Sequence, residues 1–202
     1  VHSAPIPRLG GIAFIPSMVI SAIAVLLIIY SNNFDEKVPL SMWSMGFILS
    51  LSIIYAVGII DDLIGLNAKV KFIAQILAAS IMPICGLQIN DLYGLFGIYE
   101  IPSIVGYPLT IFTFVFIDNA LNLIDGIDGL ATSLSIIALL GFFYCFIPYN
   151  LIAYEVMIAG LVGVLIVYLY YNMWGKVEKG TKIFMGDSGS LTLGFFLAFL
   201  FV

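Results

Sequence analysis

The apolar residues of the chain form long unbroken runs, separated by short segments rich in charged residues and glycine. Most runs approach the roughly 20 residues that a helix needs to cross a bilayer, and polar residues do not alternate with apolar ones, so the runs predict helices and not strands. The pattern therefore predicts an all-α fold, a polytopic transmembrane helix bundle with six full spans and a truncated seventh. The runs cover residues 11–30, 42–60, 70–87, 104–118, 130–148, 151–171 and 191–202.

Composition and charge distribution give this bundle an orientation. With 62% hydrophobic and 9% charged residues, the chain is far more apolar than a soluble domain. If the segment before the first span is inside and the spans alternate, Lys37 is the one lysine or arginine outside, which is a strong positive-inside bias. Four of the inside residues are interpreted first as topology determinants attracted to anionic lipid: Arg8, Lys176, Lys179 and Lys182.

The remaining segments suggest a single domain. Residues 88–103 mix aromatic and polar residues around glycines, which predicts a short interfacial hairpin outside with a structural role. No repeat or linker divides the chain, so residues 1–202 are predicted to form one integral-membrane catalytic domain. The start at Val1 and the end inside an apolar run indicate a fragment of a longer protein. No basic footprint for nucleic acid is present.

Six aspartates fall at predicted cytoplasmic helix boundaries, although a purely structural protein would scatter its acids. Ionisable groups at membrane depth are costly and are by default functional. Clustered carboxylates repel one another, and a hard divalent cation such as Mg²⁺, or Mn²⁺ in its place, is the usual remedy. Zinc does not suit the pattern, because His2 is the one histidine. The acids are Asp61 and Asp62 after the second run, Asp118, Asp125 and Asp128 after the fourth, and Asp187 just before the seventh.

Glycines beside these acids indicate a phosphate site. Glycine lets the backbone approach a ligand closely, and a helix start offers free N–H groups to an anion. Lys69 and Lys71 could add cationic contacts to phosphate. Metal, amides and lysines are what phosphoryl transfer needs, because that chemistry consists mostly of positioning and charge neutralisation. Asp118 has no such context and is interpreted as a helix-end acid.

Four segments, in order, resemble the polyprenyl-phosphate N-acetylhexosamine-1-phosphate transferase family of bacterial inner-membrane enzymes. Each would be weak evidence alone, but together, on one side of the membrane, they are specific, and the resemblance covers essentially the whole chain. The family's preceding span, its later helices and its histidine-bearing loop are not in this sequence. The segments are PIPRLGG at 5–11, DD at 61–62 with GLNAKVK at 65–71, NALNLIDGIDGL at 119–130 and FMGDSGS at 184–190.

The resemblance implies that a UDP-sugar and polyprenyl phosphate react, with Mg²⁺, to give polyprenyl-diphospho-sugar and UMP. By that resemblance Asp187 ligates the metal, and Asp61 deprotonates or orients the lipid phosphate with Asp62 beside it. The resemblance also implies substrate-binding residues. They are Lys71 at phosphate, Asn119 at the start of the NALNLIDGIDGL motif, Asn122 and Asp125 at the ribose or sugar-phosphate region, and Asp128 and Phe184 at uracil.

The family includes two branches, and the PRLGG and NLIDGIDG segments look more like the branch that uses UDP-N-acetylglucosamine and undecaprenyl phosphate to begin a cell-envelope glycan. The alternative is the phospho-N-acetylmuramoyl-pentapeptide transferase of peptidoglycan synthesis. The resemblance also implies a multi-pass protein of the bacterial inner membrane, a cytoplasmic active site and a homodimer.

Other classes fit less well. A transporter would place its polar residues near the midplane on broken helices. CDP-alcohol phosphotransferases need an Asp-Gly-x-x-Ala-Arg type run, which is absent, and intramembrane prenyltransferases need acids four apart, whereas Asn122, Asp125 and Asp128 are three apart. A non-catalytic membrane transporter or scaffold stays the alternative outside the enzymes.

Overall fold

The computed structural model describes residues 7–31 and 41–202. Within these ranges the chain forms helices that are joined by turns and loops. Val1, His2, Lys37 and the first two residues of the PIPRLGG segment lie outside the described residues. Segment 88–103 folds back on itself as predicted, with one isolated antiparallel bridge between Asp91 and Glu100. The helices are α1 (Phe14–Ser31), α2 (Met42–Ile64), α3 (Ala68–Ile84), α4 (Ser103–Ile124), α5 (Leu130–Phe146), α6 (Ile152–Trp174) and α7 (Gly186–Phe201).

Four helical segments of the described residues are long and apolar enough to cross a membrane: α2, α4, α5 with the turn that follows it, and α6. Their outward faces carry large exposed apolar side chains such as Ile104 and Ile137, which lipid and not water would cover. These features are those of a multi-pass membrane protein. The count of six full spans and a truncated seventh stays a prediction, because α1, α3 and α7 are shorter or less apolar.

Helix α7 lies at the centre of the bundle, packed between α2 and α4. Its residues from Ser188 to Leu200 are all buried, as expected for a helix that is enclosed on every side. Contacts between aromatic rings hold it on both flanks. The ring centroids of Phe47 and Phe199 are 3.7 Å apart, and those of Phe114 and Phe195 are 4.7 Å apart.

The start of α7 differs from the prediction. The apolar run begins at Leu191, but the helix begins at Gly186, so Asp187 lies in its first turn and not before it. The extra turn forms because backbone groups outside the helix hold its entry. Gly10 donates to the carbonyl of Phe184 at 3.0 Å and Gly11 donates to that of Met185 at 2.9 Å.

Glycine permits the closest approach between α2 and α7. A Cβ at Gly58 would lie 2.5 Å from the Cα of Ser188, far inside van der Waals contact with backbone. A Cβ at Gly163, in the middle of α6, would meet nothing within 4 Å. The two positions therefore form a matched pair of helical glycines that differ in their surroundings.

We expect Gly58→Ala to lower the free energy of unfolding by about 1–3 kcal/mol or more, because backbone cannot move aside as a flexible side chain can. Gly163→Ala should instead be neutral or stabilise by up to about 1 kcal/mol, since alanine favours helix. Thermal unfolding of both variants in detergent measures the difference. Equal melting temperatures would contradict the packing described for α2 and α7.

Candidate active site

The chain brings the predicted acids together because successive helices run in opposite directions. The last turns of α2 and α4 and the first turns of α3, α5 and α7 therefore share one end of the bundle. An open cleft of about 720 Å³ lies there, within the size range of ligand sites. Its lining includes Arg8, Asp62, Asn122, Asp125, Gly126, Ile127, Asp128, Phe184, Gly186 and Asp187.

Asp62 caps the buried start of α7. Its Oδ1 accepts a hydrogen bond from the backbone N–H of Asp187, and its Oδ2 accepts one from that of Ser188, both at 2.8 Å. These amides have no partner within the helix, and a carboxylate is favourable at a helix N-terminus. Gly186, at φ 71°, is required here, because a Cβ would lie 1.9 Å from the carbonyl oxygen of Arg8.

Lys71 bridges Asp61, a predicted catalytic acid, and Asp187, the predicted metal ligand. Its Nζ donates to Asp61 Oδ2 and to Asp187 Oδ2, each at 3.0 Å. The other oxygen of Asp61 accepts from the backbone N–H of Leu66 at 2.5 Å, and the Asp61 side chain is only 9% exposed. Asp61 and Lys71 therefore lie behind Asp187 and outside the cleft lining.

Asn122 fixes the other side of Asp187. Its Nδ2 donates to Asp187 Oδ1 and, at 2.8 Å, to the hydroxyl of Ser190 one turn further along α7. Asp187 is thus held by an amide on α4 and an ammonium on α3. It faces the cleft with its carboxylate already oriented.

Asp125 ends α4 within the same cleft. Burial raises the pKa of its carboxyl to about 7, and the negative charges of Asp187, Asp62 and Asp128 contribute in the same direction. Among the described lining residues, Arg8 is the one cation facing four carboxylates. The cleft therefore has an excess of negative charge that a bound cation would relieve.

The carboxylate arrangement fits one kind of metal site. In the part of the chain that the structure describes, no three His, Cys, Asp or Glu side chains have the spacing of a metal cluster. Mg²⁺ commonly takes one or two protein carboxylates and completes its shell with water and substrate phosphates. Asp187, which lines the cleft, fits a site of this kind, in which substrate phosphates complete the shell, and not an all-protein cage.

Lys182 corrects the sequence interpretation, which treated it as a lipid-facing topology determinant. Its side chain is only 8% exposed, and its ammonium donates to Asp128 Oδ2 and to the carbonyl of Asn172, each at 2.5 Å. The lysine turns inward because its ammonium pairs with Asp128 and the carbonyl of Asn172, and it lies 5.9 Å from the ring centroid of Phe184, two residues further along. That two-residue spacing was the available signal, whereas nothing in the sequence marked Asn172.

Asn119 and Asp118 lie apart from the cleft. The amide of Asn119 donates to Gln75 Oε1 at 2.8 Å and to the carbonyl of Val115 at 2.7 Å, so the structure does not bring it to the lining. Asp118 is not a helix-end acid. It lies inside α4, fully buried, and neither carboxyl oxygen has a hydrogen-bond partner of normal geometry among the described residues.

The structure thus assembles Asp62, Asn122, Asp125, Asp128, Phe184 and Asp187 around one cleft. The sequence profile of glycosyl transferase family 4 matches residues 44–202 of the chain, which include all of these positions.

Curated relatives carry two kinds of name. The chain is 35% identical to the phospho-N-acetylmuramoyl-pentapeptide-transferase of Staphylococcus carnosus, over 95% of this chain and 60% of the relative. It is 33% identical to the probable undecaprenyl-phosphate N-acetylglucosaminyl 1-phosphate transferase of Bacillus subtilis, over 99% and 52%. It is also 33% identical to the decaprenyl-phosphate N-acetylglucosaminephosphotransferase of Mycolicibacterium smegmatis, over 98% and 49%. The chain thus spans between about half and three fifths of the length of these relatives.

We expect Asp62→Ala to destabilise the protein by about 0.5–2 kcal/mol, because two backbone amides in the first turn of α7 lose their acceptor. Asp62→Asn keeps one acceptor oxygen and should therefore lose less stability. Thermal unfolding of the two variants beside the unaltered protein checks this order. An alanine variant as stable as the original would show that Asp62 does not cap α7.

We expect Asp118→Asn to stabilise the protein by about 1–3 kcal/mol at neutral pH, because the amide avoids the desolvation cost of a buried carboxylate for which the uncharged side chain of Gln75 compensates only in part. Glu100→Gln makes the same chemical change at an exposed position and should leave the melting temperature unchanged. A marked loss of stability in Asp118→Asn would show that the carboxyl has a stabilising partner.

Proposed function

We propose that this chain, which belongs to glycosyl transferase family 4 and there to the polyprenyl-phosphate N-acetylhexosamine-1-phosphate transferases, transfers a hexosamine-1-phosphate from a UDP-sugar to a polyprenyl phosphate and releases UMP. The observation that carries the proposal is the cleft itself. Four carboxylates, an amide, an arginine and an aromatic ring converge at one end of an apolar helical bundle, where a lipid head group and a water-soluble nucleotide can meet.

In the proposed reaction an oxygen of the lipid phosphate attacks the phosphorus that bears the sugar. The bond from that phosphorus to the oxygen bridging the two phosphates breaks, and UMP leaves with the electron pair. The lipid then carries a diphosphate linked to the sugar. A phosphate acceptor is already ionised near neutral pH, so the protein's main tasks are to position the two substrates and neutralise their charges.

Asp187 is our proposed ligand for Mg²⁺, with Mn²⁺ able to take its place. The metal would neutralise charge on the diphosphate and on the leaving UMP. The first-turn position of Asp187 and its hydrogen bond from Asn122 support this role, because both orient the carboxylate before substrate arrives. Asp62 supports it indirectly by capping the same turn.

We assign an orienting role to Asp61. Both of its oxygens already accept hydrogen bonds, one from Leu66 and one from Lys71. In this arrangement Asp61 holds the ammonium of Lys71 beside Asp187, where it can contact a phosphate oxygen. For the remaining cleft residues we propose contacts of Asn122 and Asp125 with the ribose or sugar-phosphate region, and of Asp128 and Phe184 with uracil.

We propose UDP-N-acetylglucosamine as donor and undecaprenyl phosphate as acceptor, which would make this the first membrane step of a cell-envelope glycan. The PRLGG and NLIDGIDG segments support this branch. Relatives of both branch names match similarly well, so phospho-N-acetylmuramoyl-pentapeptide transfer is the second candidate. We further propose a single catalytic domain of six spans and a partial seventh, a homodimer, and placement in the bacterial inner membrane with the cleft cytoplasmic.

Transfer of label from radiolabelled UDP-N-acetylglucosamine to undecaprenyl phosphate by the full-length protein in detergent tests the proposal. We expect labelled lipid that disappears on chelation of divalent metal. Asp187→Asn should lower the rate about 100-fold or more with folding intact, because charge neutralisation in the transition state is lost. Glu178→Gln, an acid-to-amide change at an exposed loop position, is the matched control and should keep full activity.

If product forms from UDP-N-acetylmuramoyl-pentapeptide and not from UDP-N-acetylglucosamine, the proposed type of reaction is supported. The chain would then belong to the phospho-N-acetylmuramoyl-pentapeptide transferase branch. If well-folded protein transfers label from neither donor, the proposed enzymatic function is wrong, and a non-catalytic membrane scaffold is the remaining interpretation.

A further inference from the structure

Lys182 makes a set of contacts that the proposed reaction does not use. A lysine ammonium carries three N–H groups, and burying one is costly unless it is paired. This ammonium donates to Asp128 Oδ2 and to the carbonyl of Asn172, and it lies 5.9 Å from the ring centroid of Phe184. Lys182 thus joins the two side chains to which we assign the base.

The ion pair determines what Asp128 can offer a ligand. The carboxylate is 49% exposed and lines the cleft, whereas the lysine behind it is 8% exposed. Its Oδ2 is taken by the lysine, and its Oδ1 has no hydrogen bond within the described residues. A carboxylate paired with an ammonium can only accept hydrogen bonds, so Asp128 presents one oriented acceptor to the cleft.

Phe184 is fixed relative to that acceptor. Its backbone N–H donates to the carbonyl of Pro7 at 2.9 Å, and its carbonyl accepts from Gly10 at 3.0 Å. The ammonium of Lys182 lies near its ring, in reach of a cation–π contact. The backbone of Phe184 is therefore held in place, and its ring lies near the ammonium that pairs with Asp128.

Asn172 completes the frame at the end of α6. Its Oδ1 accepts from the backbone N–H of Gly129 at 2.7 Å, and its Nδ2 donates to the carbonyl of Ile183 at 3.0 Å. These residues are the sequence neighbours of Asp128 and Phe184. One lysine and one asparagine thus set the distance between an acceptor and a ring that come from different segments of the chain.

We infer that Lys182 is a specificity-determining positioning residue that makes the cleft select uracil over cytosine. Uracil carries an N–H at its ring position 3, which can donate to the fixed oxygen of Asp128 while the base stacks on Phe184. Cytosine has a lone pair at that position, which a carboxylate repels. The inference rests on the proposed use of a uridine nucleotide and adds the residue that enforces it.

Calorimetric titration of the full-length protein with UMP and with CMP tests this inference. We expect the unaltered protein to prefer UMP, and Lys182→Met to lose about tenfold or more of that preference, as for a charged hydrogen bond that is no longer held in place. If Lys182 had a merely structural role, Lys182→Met would weaken the binding of UMP and of CMP equally. Lys182→Arg keeps a cation and should restore part of the preference.

Lys179→Gln is the matched control, because Lys179 is an exposed lysine of the same loop and should leave both affinities unchanged. In steady-state assays Lys182→Met should raise KM for the UDP-sugar with little change in kcat, since the base is remote from the reacting phosphorus. Unchanged UMP preference in folded Lys182→Met would overturn the inference. If Lys182→Met fails to fold, unchanged preference in Lys182→Gln would overturn it equally.

The proposed function fails in a different way. An unaltered protein that binds neither nucleotide would reject the uridine donor itself, and the role of Lys182 with it.

Discussion

The fold depends on satisfying the backbone at the start of α7. This helix is buried from Ser188 onward, so its first N–H groups are largely shielded from water, and each one left without an acceptor would be costly. Asp62 supplies acceptors for two of them, and the Gly10–Gly11 segment pairs with the residues that lead into the helix. A chain that meets this requirement has already placed Asp187 beside α2 and α4, so the same contacts that stabilise the bundle also build the cleft.

The electrostatics of the cleft follow from this arrangement. Carboxylates at the ends of α2 and α4 oppose the helix dipoles, and they repel Asp187 and one another. Lys71 and Lys182 offset part of that cost from behind the cleft, each by pairing with an acid that belongs to another segment. What stays uncompensated lies at the open side, at Asp125 and its neighbours, where a divalent cation and a diphosphate would complete the balance of charge.

The sequence sufficed for the parts of the structure that depend on composition and order. Long apolar runs predict helices, their alternation brings Asp62, Asn122, Asp125 and Asp128 to one end, and short motifs mark the residues that meet there. It did not suffice where side-chain direction depends on tertiary packing. The positive-inside rule counts lysines without regard to burial, so it predicts Lys182 as a surface charge. The apolar run stops at Asp118 and predicts a helix-end acid, whereas α4 continues for almost two more turns to Ile124.

The register between α4 and α7 links these observations. Asp118 and Asn122 on α4 and Asp125 at its C-cap are spaced by four and three residues. On α7, Asp187, Ser190 and Gly194 are spaced by three and four, so each set forms a stripe on one helical face. The stripes meet: Asn122 contacts Asp187 and Ser190, while a Cβ at Gly194 would lie 2.7 Å from the Cα of Asp118. A slip of one residue would turn Asn122 away from Asp187 and press a side chain against α4. Gly194, which leaves room for the buried Asp118, therefore also fixes the register of α4 against α7. That register brings the proposed metal ligand, Asp187, to its hydrogen-bond donor, Asn122.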